Sequence, residues 1–171
     1  MINLDFGEYK IDIKNDASEM SLKEITDISN IFRDEKSNIK LWYKILGILS
    51  NDERYVNMSD DTTFDVIGKL KINAKEFIKS VKIDGKEYNF EFENDKPKLT
   101  LYHLSEIEDY INANPDNWMS DTMYLLLKID KDVDKDLVNE ALTAAVIIPY
   151  IDHVNNKLTS NFNKLNELLS Q

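Results

Sequence analysis

The chain has 171 residues, no cysteine and a formal net charge of −11 at pH 7, and 42% of its residues are apolar. This length and apolar share suffice for a buried core without crosslinks, and the lack of cysteine excludes disulfides, thiolate metal ligands and cysteine nucleophiles and suits a reducing compartment. The acidic balance repels phosphate backbones and anionic lipid surfaces, so neither direct nucleic-acid binding nor membrane attachment is expected.

Met1-Ile2-Asn3-Leu4-Asp5 has no basic leader and no long apolar run, and the apolar stretch around Ala144–Ile148 is too short to span a bilayer. A soluble, cytoplasmic protein is expected. Ile2 and Leu4, then Asp5-Phe6-Gly7, then Tyr9, Ile11 and Ile13 alternate around a turn and predict a β-hairpin. A polar break over Asn15–Glu19 leads to Ser21-x-x-Glu24. This capping box, in which hydroxyl and carboxylate satisfy orphan amides, starts a helix near Leu22. Leu22, Ile25, Ile28 and Ile31/Phe32 share one face of it, and a second helix carries Leu41, Ile45 and Ile48.

The polar segment Ser50–Thr62 leads into further helical sequence, and then the pattern returns. Ile2–Leu49 aligns without a gap on Val81–Lys128 at a shift of 79, with Asp5, Glu8, Tyr9, Asn15, Asp16, Leu22, Ile28 and Leu46 meeting identical residues. Val81 and Ile83, Asp84-Gly85, then Tyr88, Phe90 and Phe92 predict a tighter hairpin. Asn94–Lys98 is the matching polar break. Thr100, followed by His103, caps a helix with Leu101, Leu104, Ile107 and Tyr110/Ile111 on one face, and Met119, Met123 and Leu126/Leu127 mark the next helix.

After the polar stretch Ile129–Lys135, Asp136–Ile148 is helical, and Pro149 should end or kink that helix. An apolar stripe follows from Ile151 to Leu169. The expected fold is therefore α+β and helix-rich: a ββα-type repeat over 1–79, a second over 80–150, and an added C-terminal amphipathic helix over 151–171.

Few residues point to chemistry. Asp130-Lys-Asp132-Val-Asp134-Lys-Asp136 resembles the start of a calcium loop, but Lys135 and Ala141 stand where glycine and a bidentate glutamate are needed. Helix-capping aspartates in a solvated loop are expected instead. His103 and His153 lack the spacing of metal or hydrolase motifs, and the four glycines stand alone, so no phosphate loop exists. The pairs Glu106/Asp109 and Asp60/Asp61 do not rise above the acidic background. Trp42, Tyr43, Trp118 and Tyr124 could form a ligand or partner patch but have helical core spacing. No catalytic residue, cofactor or metal is assigned.

The candidate interaction residues are Ile151, Val154, Leu158, Asn161, Leu165 and Leu168, whose 3-4-3-4-3 spacing with one polar member suits a short coiled-coil seam. The competing expectation is that this helix packs back on its own chain, with Phe162 in place of Asn161.

The phrases Asp5-Phe6-Gly7-Glu8-Tyr9 and Asp84-Gly85-Lys86-Glu87-Tyr88, followed by Met20-Ser21-Leu22-Lys23-Glu24-Ile25 and Leu99-Thr100-Leu101, resemble small bacteriophage morphogenesis proteins. Tail-assembly chaperones and T4-type baseplate or tail-completion proteins are the kinds in question. The resemblance implies a non-enzymatic virion-assembly or virion-structural protein that contacts tail, baseplate, neck or capsid proteins, in the host cytoplasm during assembly or in the virion. It transfers no functional residue. A different class, suggested by the charge, is an acidic host-directed inhibitor that mimics nucleic acid or fills a basic groove.

Overall fold

The computed structural model describes residues 1–50, 52–70, 74–130 and 132–169, and the side chains of 38, 39, 60 and 165–169 lie outside that description. The protein is α+β and helix-rich, as its patterning predicts. Strands β1 (Ile2–Asp5) and β2 (Lys10–Ile13) pair antiparallel with Ile2 opposite Ile13 and Leu4 opposite Ile11. Their loop is held by the Asp5 carboxylate, which accepts from the amide of Gly7 at 2.8 Å, with Gly7 at φ +80°. Because side chains alternate across a strand, Ile11 and Ile13 turn inward together and are fully buried.

Helices α1 (Leu22–Asp34) and α2 (Asn38–Ser50) follow. The predicted capping box is present: Ser21 Oγ accepts from the Glu24 amide at 3.2 Å, and Glu24 Oε2 accepts from the Ser21 amide at 2.8 Å. Ile31 is partly buried against the core beside α1, whereas Phe32 is 55% exposed, so Ile31 completes the α1 face. Helix α3 (Asp60–Lys69) ends the first half.

The second half opens with β3 (Ser80–Ile83) and β4 (Lys86–Asn89), joined by Asp84 and Gly85 at φ 48° and 77°. Positive φ at both loop positions is the requirement of a two-residue type I′ turn, which Asp-Gly meets at little cost. The expected polar break at Asn94–Lys98 is instead a second small hairpin, β5 (Phe92–Glu93) and β6 (Lys96–Pro97), turning on Asn94 and Asp95 at φ 51° and 59°. Helices α4 (Leu101–Ala113), α5 (Trp118–Leu127), α6 (Lys135–Ala141) and α7 (Ala144–Leu169) complete the chain.

The order of a hairpin and two helices occurs in both halves, and α1 and α4 start 79 residues apart with 13 residues each. Side chains do not follow that shift. Ile2 pairs with Ile13 whereas Val81 pairs with Tyr88, because a four-residue loop in one hairpin faces a two-residue loop in the other. Leu22 is 1% exposed and Leu101 is 80% exposed. The ungapped correspondence of environments expected from the alignment therefore fails at these positions.

Pro149 does not end α7. The proline sits in the second turn, where it forfeits one ladder bond, and Tyr150, Ile151 and Val154 beyond it are buried. The boundary expected at 150/151 thus falls inside one continuous helix. Two apolar clusters form the core. One gathers Ile11, Ile13, Met20, Ile28, Leu46 and Leu49. The other gathers Val81, Ile83, Phe90, Met123, Leu142 and Tyr150.

Candidate functional site

The stripe predicted on the C-terminal helix divides in two. Ile151 and Val154 are 6% and 0% exposed and belong to the body of the protein. Leu158 is half-buried, and every side chain from Thr159 to Lys164 is exposed, Asn161 among them. Phe162, expected to pack inward, is 63% exposed. The side chains of Leu165 and Leu168 lie outside the described residues. The six candidates thus do not form one patch: two are core, and the surface begins at Leu158.

The aspartate run does what capping chemistry predicts. Asp134 accepts from the amide of Asp136 at 2.9 Å at the start of α6, and Asp130 accepts from Lys86 and from the Tyr88 hydroxyl. Lys131 of this run lies outside the described residues. His103 completes a capping box with Thr100. His153 Nε2 donates to the Pro97 carbonyl at 3.1 Å, and its ring lies edge-on to Phe77 with centroids 5.8 Å apart. Burial holds this imidazole below its usual pKa, and Lys157 and Lys96 push the same way. Among the described residues, no three acidic or histidine side chains are grouped as metal ligands would be.

The four aromatics singled out by sequence do not meet. Trp42 packs against the first cluster, its ring edge-on to Phe32, and Tyr43 lies against Tyr55. Trp118 packs against the second cluster. Tyr124 packs partly against the same cluster and also lines a cleft of about 590 Å³ between α4 and α5.

Helix periodicity builds this cleft. Tyr102, Glu106 and Tyr110 recur every four residues and so line one side of α4. Asp121, Tyr124 and Leu125 stand on α5, and Lys128, Ile129 and Lys135 close the end near α6. The Tyr124 hydroxyl is shut off from solvent and has no hydrogen-bond partner among the described residues. Burial pushes its pKa up, with Asp134 and Asp121 adding to the effect. Burial likewise raises Tyr110, helped by Glu106 and Asp121. Both phenols therefore stay protonated at neutral pH, and Asp121 lies close enough to be felt by both. Lys128 is engaged by Glu91 at 2.5 Å.

Sequence reasoning placed Tyr124 among possible ligand aromatics and Glu106 in an unremarked acidic pair. The sequence pattern assigns Tyr110 to the apolar face of α4 and Tyr102 to no role, although the spacing Tyr102-Glu106-Tyr110 is a usable signal. Comparison with protein-family models, curated proteins and solved structures finds no match for this chain.

Proposed function

We propose that this chain is a non-enzymatic bacteriophage virion-assembly or virion-structural protein that works through protein–protein contacts with tail, baseplate, neck or capsid components. The observation that carries the reading is α7: its stem, with Ile147, Tyr150, Ile151 and Val154, is buried, while Thr159–Lys164 leaves the body and presents Phe162 to solvent. A helix rooted in a core and exposed over Thr159–Lys164 is a form suited to seating Phe162 in a partner's groove. The resemblance of the hairpin and helix-start phrases to phage morphogenesis proteins supplies the kind of partner, and the place of action would be the host cytoplasm during assembly or the particle itself.

The net charge of −11 favours one other reading, an acidic inhibitor that occupies a basic groove on a host protein. One experiment separates the two: co-expression of the tagged full-length chain with phage tail, baseplate, neck and capsid proteins, beside a Phe162→Glu variant. The assembly reading expects co-purification of a phage structural protein that survives about 0.5 M salt and is lost in the variant. Retention of no phage protein, or association indifferent to Phe162→Glu and abolished by salt, would sink it.

A further inference from the structure

We propose that the cleft between α4 and α5 binds a guanidinium group, gripped between tyrosine rings and carboxylates, as presented by free arginine or by an arginine in a polypeptide. The chemistry of the walls selects a cation. Tyr102, Tyr110 and Tyr124 line it, and the negative quadrupole of an aromatic ring attracts positive charge. Glu106 and Asp121 lie on the same walls, and Asp134 is near enough to raise Tyr124. Against these three carboxylates stands one unpaired ammonium among the described residues, Lys135, since Lys128 is held by Glu91. An anion would face that excess of negative charge and the field of an acidic chain.

The hydrogen-bonding groups narrow the cation to one that bears N–H donors. Glu106 has no hydrogen-bond or ion-pair partner among the described residues. A quaternary ammonium would leave it without a donor. A guanidinium offers five N–H groups in a plane and can meet a carboxylate while its face lies on a ring. The cleft, about 590 Å³, is larger than a guanidinium needs. It falls within the range of small-molecule sites, so the side-chain stem and atoms beyond it fit as well.

Titration calorimetry on the full-length chain tests this, with N-acetyl-arginine methylamide, its neutral citrulline isostere, free arginine and an Ala-Arg-Ala peptide as probes. Saturable binding of at least one arginine probe is expected at about 1 mM or tighter. Binding should fall at least tenfold for the citrulline compound and in Glu106→Gln. Tighter binding of the peptide than of free arginine assigns the source to a polypeptide, and the reverse order assigns it to the free amino acid. A thermal melt of Glu106→Gln checks folding, and Tyr102→Ala, altering a ring that is 62% exposed, provides a second variant tolerant of change. No saturable binding of any arginine probe, equal binding of the citrulline compound, or unchanged binding in both variants overturns the proposal.

Discussion

His153 shows how one side chain couples packing to pH. Burial of its ring against Phe77 disfavours the charged form most, Lys157 and Lys96 disfavour it further, and the Nε2–H bond to the Pro97 carbonyl only partly offsets them. The folded chain therefore binds a proton at lower pH than the unfolded chain, whose imidazole titrates near 6.5. Between those two values the unfolded state holds more protons, so stability is fully present above the unfolded pKa and declines as pH falls through that window. The paired carboxylates of Glu19, Glu24 and Glu35, all held below 4.5, act only at lower pH. The melting temperature is expected to drop between about pH 7.5 and pH 5.5, and His153→Gln, which cannot charge, should flatten that drop. A variant with the wild-type slope would show that the imidazole is not the origin.

At the scale of elements, α7 changes character along its length. Val154 is fully buried and Phe162 is 63% exposed, although they are two turns apart on one helix. Val154→Ala should cost about 2 kcal/mol in urea unfolding through lost burial and the cavity left behind, and Phe162→Ala should change stability by less than about 0.5 kcal/mol. Equal effects would mean that the helix rests on the body throughout. The sequence stripe runs unbroken across both residues, because periodicity reports which face is apolar and not where the supporting surface stops. The same limit explains other differences. Ser21/Glu24, Thr100/His103 and Asp84-Gly85 were legible because caps and type I′ turns are decided by a few adjacent residues. The β5–β6 hairpin was not, since strands of two residues leave no alternation to detect. Leu101 and Phe32 occupy apolar registers yet face solvent, which only the neighbouring elements decide. The α4–α5 cleft was half legible: Tyr102-Glu106-Tyr110 is regular, but the α5 wall that gives it meaning comes from tertiary packing.

For the molecule as a whole, α1 ties its two apolar clusters together. Ile28 belongs to the cluster around the first hairpin, Leu22 to the cluster around the second, and Ile25 touches both. Ala144 at the start of α7 returns to the first cluster, its amide donating to the Met20 carbonyl at 2.8 Å. On the surface, Arg33 of α1 reaches Asp116 at 2.7 Å and the Pro115 carbonyl at 3.0 Å, joining the end of α1 to the α4–α5 connection. That exposed pair adds little by itself. Apolar burial through Leu22 is the stronger link, because loss of the second cluster would leave this α1 side chain in water. Unfolding should therefore be a single transition even though the chain contains two clusters. The two tryptophans make this measurable, since Trp42 packs against one cluster and Trp118 against the other. Single-tryptophan variants, Trp42→Phe and Trp118→Phe, should give fluorescence midpoints in urea that agree with each variant's own circular dichroism midpoint. Leu22→Ala, introduced into each, should lower both midpoints together at a cost of about 2–5 kcal/mol. If only the Trp118 signal moved, the halves would be separable lobes and α1 a tether between them.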